Sequence, residues 1–130
     1  MISISGDIPQ RQQSSVRVFE DKFSASLRDL RKAGKQAYIW EPLPGSKGSA
    51  PQTLARIAAG YGKPSGELRT DDYFETFRFF FDTLSKNQNL IAGRFSPSEV
   101  LCKTATCAIS IDGRPLYFDD NHLSRSSSHF

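Results

Sequence analysis

A helical stripe that stops on a glycine and gives way almost at once to an apolar run decides the fold class of this chain. Phe19, Phe23, Leu27 and Leu30 recur at the i, i+4, i+8 and i+11 spacing, which puts them on one face of an α-helix. Ser14 or Ser15 can cap its start, Arg31 and Lys32 suit its carbonyl end, and Gly34 suits its exit. Gln36-Ala37-Tyr38-Ile39-Trp40 is then a short apolar and aromatic run of the kind that makes a buried parallel strand. Helix, glycine, strand is the rhythm of an α/β layer. Ahead of it, residues 1–17 read as a strand stub and loop: Ile2 and Ile4 alternate with serines, and Gly6 to Gln13 is polar and carries Pro9.

The strand runs into Pro42-Leu43-Pro44-Gly45-Ser46-Lys47-Gly48, where two prolines remove donors and two glycines permit unusual φ, so a loop is expected. Ligands of open α/β sheets bind at the carboxyl ends of strands, which makes this loop a candidate binding edge. Ser49 suits the cap of a helix through Ala59, with Pro51 in its first turn and Gly60 at its exit. Leu54, Ile57 and Ala58 give that helix a narrow apolar face, and Tyr61 to Arg69 is a loop. Thr70-Asp71-Asp72 opens the most aromatic helix, with Tyr73, Phe77, Phe80, Phe81 and Leu84 on one face and its aspartates at the positive end. A stripe with this many phenylalanines is a core surface in preference to a sugar-stacking one; Phe74 and Phe79 fall off it. Asn89 to Gly93 reads as a short strand, and Ser96-Pro97-Ser98-Glu99 as a helix start with a capping box.

The richest chemistry lies near the end. Ile109-Ser110-Ile111 runs into Asp112-Gly113, a strong hairpin signal because both central residues must accept positive φ. A second strand, Pro115 to Phe118, delivers Asp119, Asp120 and His122 in close succession. The i, i+3 spacing of Asp119 and His122 lets a carboxylate on one tight turn bond an imidazole, fix its tautomer and stabilise its charged form. The residues alone leave two readings: the base and its orienter in an acyl-transfer site, or turn acids beside a solvated histidine. Asp120 and Asn121 are turn formers, Leu123 a core anchor and Ser124 a backbone partner. His129 has no carboxylate at a matching spacing, Glu41 reads as a solvated acid at a loop edge, and Trp40 as a core or cleft-wall residue. Residues 124–130 read as a serine-rich tail.

A chain of 130 residues is at most one domain with a modest core. Its net charge of +3, dispersed along the sequence, gives no footing for nucleic acid. No apolar run reaches the length of a membrane span, and the N-terminal residues lack the basic and apolar regions of a signal peptide. Cys102 and Cys107 can close a small disulfide ring or stay as reduced thiols. A structural zinc site needs four ligands, and the two histidines complete no recognised spacing with them, so neither metal nor cofactor is expected.

Leu116-Tyr117-Phe118-Asp119-Asp120-Asn121-His122-Leu123-Ser124 resembles the last block of the SGNH hydrolases. In particular it resembles the SGNH domain at the C-terminus of membrane-bound sugar O-acetyltransferases of the acyltransferase-three family. The nearby cysteine pair and the Trp40-Glu41-Pro42-Leu43-Pro44 step match as well, and the resemblance covers Phe19 to Ser126. It implies an α/β fold, a partial SGNH (flavodoxin-like) three-layer arrangement, with a short parallel sheet, flanking helices and a C-terminal β-hairpin. It also implies that Asp119 and His122 are catalytic and that Cys102 and Cys107 form a disulfide, which across so short a loop is worth about 2 kcal/mol in the chain-entropy model and needs an oxidising compartment. The implied partners are an integral-membrane acyltransferase domain and a carbohydrate acceptor, an O-acetylated polysaccharide or lipopolysaccharide. The implied location is the extracytoplasmic, periplasmic face of the inner membrane, as part of a longer parent.

Family members carry their nucleophile in a Gly-Asp-Ser block and supply a glycine and an asparagine whose N–H groups stabilise the oxyanion. Here the nearest string is Ser5-Gly6-Asp7-Ile8, no Gly-x-Asn block precedes a strand, and no Gly-x-Ser-x-Gly elbow is present. A histidine base without an activated hydroxyl has no acyl chemistry to do. Residues 1–130 are therefore expected to be one truncated domain, the C-terminal half of an SGNH domain, inactive alone. The alternative is a non-catalytic binding module that uses the Pro42–Gly48 loop and spare aromatics as an interaction face.

Overall fold

The computed structural model describes residues 10–61 and 67–127. Five α-helices lie among them: α1 (Gln10–Lys32), α2 (Ala50–Ala58), α3 (Thr70–Thr76), α4 (Arg78–Lys86) and α5 (Pro97–Leu101). Strands β1 (Tyr38–Trp40) and β2 (Gly93–Phe95) pair in a short parallel sheet, and β3 (Ser110–Ile111) and β4 (Arg114–Pro115) form an antiparallel hairpin. The fold is thus the mixed α/β arrangement expected, short in its strands. These residues divide into two compact units, one built from residues 10–39 and 77–94, the other from 40–61, 67–76 and 95–127.

In the first unit Phe19, Phe23 and Leu27 face inward as their spacing implies, whereas Leu30, the last of the stripe, is exposed. Leu27 is buried on α1 and Leu84 on α4, each worth about 1.5–3 kcal/mol of burial. Phe19 meets Phe79 edge-on at 5.3 Å between ring centroids, and Phe23 meets Phe80 at 6.2 Å. Beside the rings, the Asn87 amide donates to Ser24 Oγ at 2.9 Å and to the Thr83 carbonyl at 2.8 Å. Gly34, at φ +72°, ends α1, and the Lys35 N–H returns to the Leu30 carbonyl.

Several expectations are corrected. Helix α1 already includes residues 10–17, so the loop assigned to Gly6–Gln13 is helical from Gln10; Ile2, Ile4 and the rest of that loop lie outside the described residues. Ser14 and Ser15 sit inside α1 and donate to the Arg11 carbonyl instead of capping it. The aromatic helix is not continuous: Phe77 leaves helical geometry at φ −101°, ψ 16°, and α4 restarts on its carbonyl. The restart shifts the phase, which is why Phe79, off the stripe of an unbroken helix, packs against Phe19. Residues 88–90 form a 3-10 turn, and the strand begins only at Gly93.

The second unit has its core at Ala50, Ile109, Leu116 and Tyr117, with Leu43, Leu54, Leu101 and Leu123 packed against it. Ser49 caps α2 through Gln52 N–H, and Gly60, at φ +81°, ends it. Cys102 and Cys107 are joined in a disulfide. The loop they close pairs with the approach to α3: Cys107 N–H donates to the Leu68 carbonyl, and Thr70 Oγ1 donates to the Thr104 carbonyl at 2.7 Å. Tyr73 is fully buried and donates to the Pro42 carbonyl at 2.7 Å. Burial pushes its hydroxyl up to about 12, so it stays a donor at neutral pH.

Two assignments at the end of β1 are reversed by the structure. Trp40 is 62 % exposed, with its ring against Phe95, and Glu41 is 2 % exposed. Glu41 Oε2 accepts from Ser96 Oγ at 2.8 Å, so Ser96 spends its hydroxyl on that carboxyl and not on a capping box. The cause is alternation: Ile39 and Glu41 point to one side of the strand and Trp40 to the other.

Candidate active site

The site begins with the Asp112-Gly113 turn. Their φ values of 52° and 75° make the two-residue reversal that sets Ser110 opposite Pro115 and Ile111 opposite Arg114. The hairpin ladder is shorter than the sequence implied, since β4 ends at Pro115, but pairing resumes farther on. Leu116 N–H donates to the Ile109 carbonyl, Ser124 N–H donates to the Leu116 carbonyl, and Tyr117 bridges Leu123 in antiparallel sense. Phe118 N–H donates to the His122 carbonyl at 3.0 Å and closes a tight loop over residues 118–122.

Inside that loop Asp119 serves two purposes. Its Oδ1 accepts from the backbone N–H of Asn121 at 2.9 Å and of His122 at 2.7 Å. Its Oδ2 lies 2.7 Å from His122 Nδ1. The Asn121 amide, then the His122 amide and then the imidazole hold the Asp119 carboxyl down at about 2, below its ordinary 3.8. With Asp119 ionised it can only accept, so Nδ1 carries a proton toward it and Nε2 holds the lone pair of the neutral ring. The His122 side chain is 67 % exposed, within reach of a reacting group from outside.

A second segment buttresses this turn from residues 45–50. Ser46 N–H donates to the Asp120 carbonyl at 2.7 Å, and Ala50 N–H donates to the Asp119 carbonyl at 3.1 Å. Gly45 N–H donates to the Tyr117 hydroxyl at 3.1 Å, a buried group whose pKa burial raises. Gly45 has φ +76°, and a β-carbon there would stand 2.8 Å from the Asp120 carbonyl oxygen. Pro44 and Gly45 are buried, so the loop expected to be a binding edge is largely a support.

A family model described as "SGNH domain (fused to AT3 domains)" matches residues 3–130. The chain belongs to this family of SGNH domains. No curated protein and no solved structure matches it. The family is the one to which the 116–124 block pointed, and AT3, the acyltransferase-three domain, is the domain to which its members are fused. No described helix of this SGNH chain is long and apolar enough to cross a membrane. Among the described residues, no group of three or more His, Cys, Asp or Glu side chains could hold a metal ion.

Two residues around this turn, Gly45 and Phe118, and Glu41 at the end of β1 were not legible in the sequence. Gly45 looked like one of two loop glycines, and only its approach to the Asp120 carbonyl separates it from Gly48. Glu41 looked solvated. Phe118 looked like the end of a strand, yet its ring lies against His122 with centroids 5.4 Å apart and planes 17° apart. A signal for the last was present in the alternation of buried Tyr117 with exposed Phe118.

Proposed function

We propose that this SGNH domain contributes the acid–histidine pair of an O-acyltransferase or esterase site, with Asp119 orienting His122 and His122 acting as the base. The reading rests on the 2.7 Å contact between Asp119 Oδ2 and His122 Nδ1 at an exposed turn, in a family fused to acyltransferase domains. His122 Nε2 would take the proton of a serine hydroxyl supplied by a Gly-Asp-Ser block that residues 1–130 do not contain. The serine oxygen then adds to an acetyl carbonyl, and the resulting tetrahedral centre collapses as the imidazolium returns its proton to the leaving oxygen. In the second half an acceptor hydroxyl loses its proton to Nε2, attacks the acyl-serine, and releases the serine oxygen, which is reprotonated by the ring. The acceptor on this reading is a sugar hydroxyl of a cell-surface polysaccharide or lipopolysaccharide, and the acetyl group arrives through the membrane-embedded acyltransferase domain of a longer parent.

Acetyl transfer measured in the AT3-fused enzyme that carries this segment tests the reading. His122→Ala is expected to abolish transfer, and Asp119→Asn to lower it by about 10⁴-fold if the wrong tautomer is imposed as in other acid–histidine pairs. Wild-type transfer with His122→Ala would refute it. The isolated chain is expected to show no turnover of activated acetyl esters that depends on His122.

The exposed Trp40–Phe95 pair, centroids 4.2 Å apart, favours a second reading as a binding module for a flat apolar or sugar ring. A titration with acceptor oligosaccharide separates the two: saturable binding by the isolated chain, lost in Trp40→Ala, supports the module.

A further inference from the structure

We propose that Phe118 is a positioning residue for His122, its ring holding the plane of the imidazole while Asp119 holds one of its nitrogens. This deepens the acyl-transfer reading and rests on it for its function, though not for its geometry. Tyr117 and Leu123 are an antiparallel pair, and Phe118 and His122 are the next pair outward. Side chains of successive pairs point to opposite faces, so the first pair enters the core while the second projects from it together.

Burial does not account for a phenylalanine at this position, because Phe118 is 63 % exposed. Its ring contact with His122 is nearly parallel, at 17° and 5.4 Å, the offset-stacked arrangement that aromatic rings favour. The bond from Nδ1 to Asp119 Oδ2 fixes one point of the imidazole and leaves the ring free to swing about that point. A flat neighbour on one face restrains the swing. Nε2, across the ring from Nδ1, is then presented in one direction, which a base acting on a hydroxyl requires. A stack of this strength biases the ring toward the bonded orientation by about two- to tenfold.

The test is the proton spectrum of the His122 ring in the full chain, with the side-chain couplings that report its rotamer. The wild-type ring protons are expected upfield of those of a histidine peptide, with couplings of a single rotamer. Phe118→Leu keeps apolar bulk without a π face; it should lose the upfield shift and reduce the preference for the bonded rotamer by about two- to tenfold. Phe118→Tyr should restore both. Unshifted ring protons in the wild type overturn the proposal without any variant, as do unchanged couplings in a Phe118→Leu chain whose Tyr117 and Leu123 amide signals are native. Failure of the acyl-transfer reading would register separately, as acetyl transfer surviving His122→Ala while the ring-current shift is intact.

Discussion

Gly45→Ala is the sharpest single probe of how the Asp119–His122 turn is held. A non-glycine residue in the left-handed region, here φ +76°, costs about 1–2 kcal/mol. The new β-carbon would also stand 2.8 Å from the Asp120 carbonyl oxygen, a backbone atom that cannot swing aside as a side-chain tip could. Relieving that overlap costs about another 1–3 kcal/mol by analogy with overpacked cores. It also strains two bonds, Ser46 N–H to the Asp120 carbonyl and Gly45 N–H to the Tyr117 hydroxyl. The total expected loss is about 2–5 kcal/mol. Gly48→Ala is the matched control, since Gly48 has φ +81° but no atom within 4 Å of its would-be β-carbon, and only the conformational cost of about 1–2 kcal/mol applies. Urea denaturation followed by far-ultraviolet circular dichroism gives both values, and amide spectra show whether Asn121 and His122 shift in Gly45→Ala alone. If the two variants lose stability to within about 0.5 kcal/mol of each other, the close approach contributes nothing and the buttress account fails.

Other expected outcomes follow from the same contacts. The Asp119 carboxyl, held at about 2 against an ordinary 3.8, makes a stabilising contribution that is complete above the ordinary value and disappears as pH falls through about 2. The Asn121 and His122 amide signals should therefore titrate together near pH 2, and a midpoint near 4 would contradict the two amide bonds to Oδ1. Ser96→Ala removes one donor to the buried Glu41 carboxyl and should cost about 1–3 kcal/mol, whereas Ser26→Ala on the exposed face of α1 should cost less than about 0.5 kcal/mol in the same urea experiment. Reducing Cys102–Cys107 opens the loop that pairs with residues 68–70 and should lower stability by about 2 kcal/mol, read as a lower urea midpoint with added reductant.

What could be read in the sequence was what short-range chemistry dictates. The Asp112-Gly113 reversal, the Ser49 cap, the Gly34 and Gly60 helix ends and the spacing of Asp119 and His122 each depend on a few neighbouring residues. What was missed depends on segments distant in the chain. The buried Glu41 carboxyl accepts from Ser96, 55 residues on, and no local pattern announces that partner. The break at Phe77 has no glycine or proline to announce it. Tyr73 and Phe80 pack in different units, and their shared stripe on a helical wheel concealed the interruption. Trp40 was misplaced for a simpler reason, since hydrophobicity favoured an inward tryptophan where strand alternation put Glu41 inside.

The two oxygens of Asp119 explain how a turn this short can hold an imidazole in one orientation. Oδ1 binds the turn's own amides and keeps the carboxyl ionised; Oδ2 is left for the imidazole. The charge beside His122 is thus maintained by residues 119–122 themselves, and it persists at an exposed position because the amides are fixed donors. Where the turn points is decided elsewhere, by Ser46, Ala50 and Gly45 on its far side. Charge and direction are therefore separable properties of this site. Damage to the turn should change the protonation of Asp119, while damage to the buttress should move the pair as a body and leave that protonation as it is.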